Sequence, residues 1–113
     1  MKVAITIWGD RISPVFDASH TLLVAEIDKA EVVGTVFMPF NPQQPSLLAH
    51  ALTGKDVSVL ICGAVSAGPA TLMEESGIKL IPFIAGKAAQ VLEHYAKEPS
   101  DLRCFLMPGC GGK

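Results

Sequence analysis

Chemistry in this chain can come from few side chains. It has three cysteines, Cys62, Cys104 and Cys110, and three histidines, His20, His50 and His94. Cys62 closes an apolar run and is followed by the small residues Gly63 to Gly68. A thiolate beside a helix N-terminus there would have a lowered pKa and act as a nucleophile. Cysteine is equally among the most buried residue types, and a small core residue lining a cleft suits the position as well. Cys104 and Cys110 are separated by five residues, and the second lies in Pro108-Gly109-Cys110-Gly111-Gly112. Glycines around a cysteine let backbone N–H groups approach and hydrogen-bond a sulfur-ligated cluster. Two thiolates do not complete a tetrahedral zinc site, and the alternative is a tail whose thiols are inert. His20 follows Asp17 by three residues. Imidazole ligates borderline and soft metals, and a carboxylate can orient its ring; otherwise His20 is a polar residue opening a strand.

Other chemistries fit less well. Gly63-Ala64-Val65-Ser66-Ala67-Gly68 lacks both the G-x-G-x-x-G spacing and the Lys-Ser/Thr of a phosphate loop. It reads either as a tight turn with Ser66 capping a helix, or as an anion site of free N–H groups. Two-metal phosphoryl chemistry needs carboxylates clustered on central strands. Lys2 to Trp8 and Val57 to Cys62 contain none, and Asp10 has no partner on the second run. His50 and His94 are expected at helix surfaces, so no histidine is placed beside Cys62.

The elements that must position these residues follow from pattern. Lys2 to Trp8 alternates as a strand, and Gly9 to His20 is a polar loop. Thr21 to Asp28 and Glu31 to Met38 are strands joined by the short turn Lys29-Ala30, hence antiparallel neighbours. Pro39, Pro42 and Pro45 end that hairpin and begin a helix to Gly54, with Asn41 or, favoured, Ser46 as N-cap. Its expected apolar stripe is Leu47, Leu48, Ala51 and Leu52. Val57 to Cys62 is a continuous apolar strand. A helix runs from Ser66 to about Ser76, Ile78 to Ile81 is a strand, and a last helix covers Gly86 to about Lys97.

The order is βββαβαβα, with parallel crossovers joining the first, fourth and fifth strands. The expectation is an α/β fold with a five-stranded mixed sheet, order 3-2-1-4-5, strand 2 antiparallel, and helices on both faces. Residues 1–98 form one domain and 99–113 a cysteine-containing tail. Ligands in such sheets bind beyond the carboxyl ends of strands, where connections diverge. That point falls between the first and fourth strands, where Gly9–His20 and Cys62–Gly68 should converge, with Trp8 as a wall.

Composition narrows the classes. The chain has 113 residues, a hydrophobic fraction of 50%, 18% charged residues and net charge −2. Disorder needs the reverse balance, and no basic stripe exists to neutralise nucleic-acid phosphates. The long uncharged stretches are broken by proline, glycine and amides, so no membrane span of about 20 apolar residues is expected. The opening residues run straight into a strand without an apolar leader, and the chain reads as cytoplasmic. Its cysteines are then thiols or ligands rather than a disulfide framework.

Ile12-Ser13-Pro14-Val15-Phe16-Asp17 after the first strand, with Cys62-Gly63 at the end of the fourth, resembles the dinitrogenase iron–molybdenum cofactor biosynthesis family (NifX, NafY core and NifB C-terminal-type domains). The similarity runs over about Met1 to Lys97. It implies a ribonuclease H-like fold without nuclease activity, and a role in holding or passing on a metal–sulfur cluster or precursor of Fe–S, Fe–Mo or Mo–Cu type. The expected protein is a non-enzymatic carrier with Ser13, Asp17, His20, Cys62, Gly63 and Ser66 around the cargo. His20, Cys104 and Cys110 are its candidate metal ligands, and a cluster-assembly or acceptor protein its partner. The alternative is an interaction module with no metal. Low charge makes apolar surface patches plausible, as in homodimers.

Overall fold

The computed structural model describes residues 1–98 together with Leu102, Phe105 and Leu106. Its strands are β1 (Lys2–Trp8), β2 (Arg11–Ile12), β3 (Thr21–Asp28), β4 (Glu31–Pro39), β5 (Val57–Ile61) and β6 (Lys79–Ile81). Its helices are α1 (Pro45–Gly54), α2 (Ala67–Glu75) and α3 (Ala88–Lys97). The sheet runs β4-β3-β1-β5-β6, with β2 paired to β1 off this path. β1 is antiparallel to β3 and parallel to β5, and β5 is parallel to β6. The expected order and directions hold. The sheet nevertheless has six strands, not five.

The extra strand comes from the stretch expected as loop. Gly9, at φ 68°, permits a two-residue turn that folds Arg11-Ile12 back onto Ile7-Trp8. A single 3₁₀ turn, Phe16–Ala18, follows. At the hairpin, Lys29 and Ala30 both adopt positive φ, 52° and 64°, as a turn matched to strand twist requires.

Alternation along the strands divides the core. Val3, Ile5 and Ile7 of β1 face α3, packing with Leu23, Val59, Ile61, Val91, Leu92 and Tyr95. Ala4 faces the opposite side with Leu22, Val24 and Leu60, covered by Leu48 and Leu52 of α1 and Met73 of α2. Helices therefore cover both faces. On α1, Leu48, Ala49 and Leu52 are buried whereas Leu47 is exposed. Neither Asn41 nor Ser46 caps that helix: Gln44 holds the N-cap position, because Pro45 fixes the first turn. Asn41 Oδ1 instead accepts the Gln43 N–H at 2.9 Å. Ser66 does stand at the N-cap of α2, without a side-chain bond. The third helix begins at Ala88 rather than Gly86.

Candidate functional site

Three connections meet at the carboxyl end of the sheet, those following β1, β5 and β6. Backbone hydrogen bonds lace them together. Ala64 N–H donates to Pro14 O at 2.9 Å, and Phe16 N–H to Ala64 O at 2.8 Å. Phe83 N–H donates to Gly63 O at 2.9 Å, and Ile84 N–H to Cys62 O at 3.0 Å. Phe83 sits at φ 64°, a left-handed conformation uncommon for a bulky residue and held here by that bond. Ile12 N–H reaches Gly86 O at 2.9 Å, and Ala88 N–H reaches Asp10 O at 3.0 Å.

The two loops expected to converge between β1 and β5 do converge, and they close on each other. A Cβ placed on Gly63 would overlap the Ser13 carbonyl oxygen and approach Pro14 O to 2.6 Å. This glycine serves close backbone approach, not a special φ. Ser13 is fully buried, its N–H on Thr6 O at 3.0 Å and its Oγ donating to Val15 O at 2.9 Å. Cys62 is fully buried too, and burial pushes its thiol up to about 12. At neutral pH it is a neutral thiol, neither nucleophile nor ready ligand. Ser13, Cys62 and Gly63 are brought together as a closed seam. Asp17, His20 and Ser66 are exposed.

Open space lies beside that seam, on either flank of Trp8, whose side chain is 70% exposed at the end of β1. One hollow, about 490 Å³, is lined by Trp8, Gly9, Arg11, Ile12, Pro14, Ala85 and Gly86. The other, about 390 Å³, is lined by Ile7, Trp8, Gly9, Ala18, His20, Thr21 and Phe37. Each is an apolar hollow that, besides the Trp8 indole, has one basic side chain at hand, Arg11 in the first and His20 in the second. Trp8 is the expected wall. Arg11 stands in the loop singled out by sequence, but nothing marked Phe37, in mid-strand, as part of a site.

Among the described residues no group of three or more His, Cys, Asp or Glu side chains is placed to hold a metal ion. Cys104 and Cys110 lie outside the described residues. The three described residues beyond position 98 pack against residues 1–98. Leu102 is buried in the α3-side core, Leu106 bridges to Ile84, and Phe105 O accepts the Ala85 N–H at 2.7 Å. Phe105 also lies edge-on over His94, ring centroids 5.5 Å apart. His94 is thus half-buried with an enclosed Nε2, not turned to solvent as its helical position suggested.

The family profile described as "Dinitrogenase iron-molybdenum cofactor" matches residues 1–98. The chain belongs to that family. No curated protein matches it. Among solved structures it resembles PH0822, at TM-score 0.78 and 15% identity, over 87% of this chain and 90% of that one. It also resembles MJ0327 of Methanocaldococcus jannaschii, assigned as a candidate dinitrogenase, at TM-score 0.70 and 20% identity, over 87% and 89%. TM1290 of Thermotoga, assigned as a candidate NifB protein of the DUF35 family, matches at TM-score 0.66 and 16% identity, over 85% and 87%. These superpositions show a shared mixed α/β fold, and at identities of 15–20% they show the fold alone. The family match makes a cofactor-related role plausible. No helix among the described residues is long and apolar enough to cross a membrane.

Proposed function

We propose that this chain is a non-enzymatic carrier that holds an anionic metal–sulfur cluster, or a cofactor precursor of Fe–S, Fe–Mo or Mo–Cu type, in the hollows flanking Trp8. The observation that carries the reading is the pair of apolar hollows at the carboxyl ends of the strands, with Arg11 in one and His20 in the other. An inorganic sulfide cluster offers a polarisable surface for aromatic and aliphatic contact and negative charge for a guanidinium. His20 is the direct metal ligand in this reading, and Asp17 and Ser66, exposed in the two converging loops, line neither hollow. Ser13, Cys62 and Gly63 hold the loops in place and do not touch cargo. The tail thiols Cys104 and Cys110 supply further soft ligands.

The reading includes a ribonuclease H-like fold used for binding, a cytoplasmic location, and an assembly or acceptor protein that exchanges the cargo. Its test is titration with thiomolybdate plus copper, or with iron and sulfide, under anaerobic conditions. His20→Ala and Arg11→Ala are each expected to weaken binding about tenfold or more, the scale of one lost ligand or charge-assisted contact. The Cys104→Ser/Cys110→Ser double variant is expected to alter the visible bands. Unchanged affinity in both single variants, with unchanged bands in the double one, would leave the proposal without a site.

A further inference from the structure

The outer edge of β4 carries an interaction of its own. The strand pairs with β3 on one side, and no described strand covers the other. Phe40 N–H donates to His20 O at 3.0 Å, and these two residues continue the β3–β4 register. In an antiparallel ladder hydrogen-bonded pairs alternate. Met38, Val36 and Gly34 therefore turn their backbone groups to β3, while Thr35 and Phe37 turn theirs outward. Val36 and Phe37 are 59% and 65% exposed. An apolar edge of this kind is a template for another strand unless charges, prolines or bulges interrupt it.

Here the interruptions fall symmetrically. The register steps from Glu26–Gly34 to Ile27–Val32, leaving Val33 as a bulge. Pro39, lacking an N–H, ends the strand. Both lie three positions from Val36, and the outward-facing Thr35 and Phe37 lie one position from it. The stretch between bulge and proline is thus self-complementary about Val36. It carries no charge: none falls between Glu31 and Lys55.

We infer that β4 pairs antiparallel with β4 of a second copy, centred on Val36, so that the two sheets run on as one. Thr35 exchanges both backbone hydrogen bonds with Phe37 of the second copy, and Phe37 with its Thr35. Val36 faces Val36 as a non-hydrogen-bonded pair, the arrangement in which side chains approach closest. Met38 of the second copy stands opposite Gly34, over which a Cβ meets nothing within 4 Å. An interface of one short strand is below standard size, so association in the micromolar range is expected.

Sedimentation of the full chain from low micromolar to about millimolar concentration tests this. Wild type should form a reversible dimer. Val36→Lys and Val36→Glu, each placing like charges face to face, should each weaken it about tenfold or more. Mixing the two should restore it, because residue 36 meets its own counterpart. Thr35→Pro, which removes an outward N–H and also fixes φ at that position, should also be monomeric, with an unchanged circular dichroism spectrum serving as the check on folding. A wild type monomeric throughout, a Val36→Lys dimer as tight as wild type, or two charge variants that fail to pair on mixing would each overturn the inference. An edge reserved for a different protein's strand would show as the first of these.

Discussion

Gly63→Ala isolates the contact on which the site depends. The added methyl would overlap Ser13 O and lie 2.6 Å from Pro14 O and 2.7 Å from Pro14 C, all rigid backbone. The loop after β1 must retreat. It then loses the Ala64–Pro14 and Phe16–Ala64 hydrogen bonds, of 2.9 and 2.8 Å, each contributing about 1 kcal/mol net. Retreat also uncovers part of the fully buried Phe16, whose complete burial contributes about 1.5–3 kcal/mol. The expected loss is about 3 kcal/mol. Urea unfolding followed by Trp8, the only tryptophan, measures it as a lower midpoint. Gly54→Ala is the control, a helical glycine with nothing within 4 Å of its Cβ, and should be neutral or stabilising by up to about 1 kcal/mol. A Gly63→Ala loss below about 1 kcal/mol, or equal effects at the two sites, would refute the close-packed seam.

Other consequences concern single residues. Because burial raises the Cys62 thiol from its ordinary 9.0 to about 12, the unfolded chain releases that proton first as pH rises. Stability contributed below pH 9 is then lost between pH 9 and about 12, at close to 1.4 kcal/mol per pH unit. Wild type should show that loss relative to Cys62→Ala in alkaline denaturation, and native Cys62 should resist alkylation at neutral pH. Thr6 Oγ1 is buried without a hydrogen-bond partner among the described residues. Thr6→Val should therefore raise unfolding free energy by about 1 kcal/mol, read by thermal melting. The hairpin turn places Lys29 and Ala30 at positive φ, where Asn-Gly is preferred. Lys29→Asn/Ala30→Gly should stabilise by about 1 kcal/mol, and an unchanged melting temperature would argue against that turn.

What the sequence made legible is what local pattern encodes. The alternation of Lys2–Trp8, the apolar Val57–Ile61 stretch (interrupted by Ser58, which is exposed) and the Pro39–Pro45 punctuation set the elements, and the crossover rule then set the sheet order. Convergence of the loops after β1 and β5 followed from topology. Their closure did not, because it depends on backbone contacts between Ser13-Pro14 and Gly63, residues distant in the chain. Arg11-Ile12 is too short to show alternation as a strand. Pro45 at the first helical position overrode the side-chain preference for Asn41 or Ser46. His94 is covered by Phe105, and no helical spacing foretells a tail residue docking there.

The carrier role is tested most directly by the intact protein, prepared without oxygen and offered iron with sulfide or copper with thiomolybdate. A carrier should take up stoichiometric metal by elemental analysis, develop new visible absorption bands, and show quenched Trp8 fluorescence as cargo settles beside the indole. Protein that remains metal-free and colourless with both mixtures, its Trp8 emission unmoved, would contradict it.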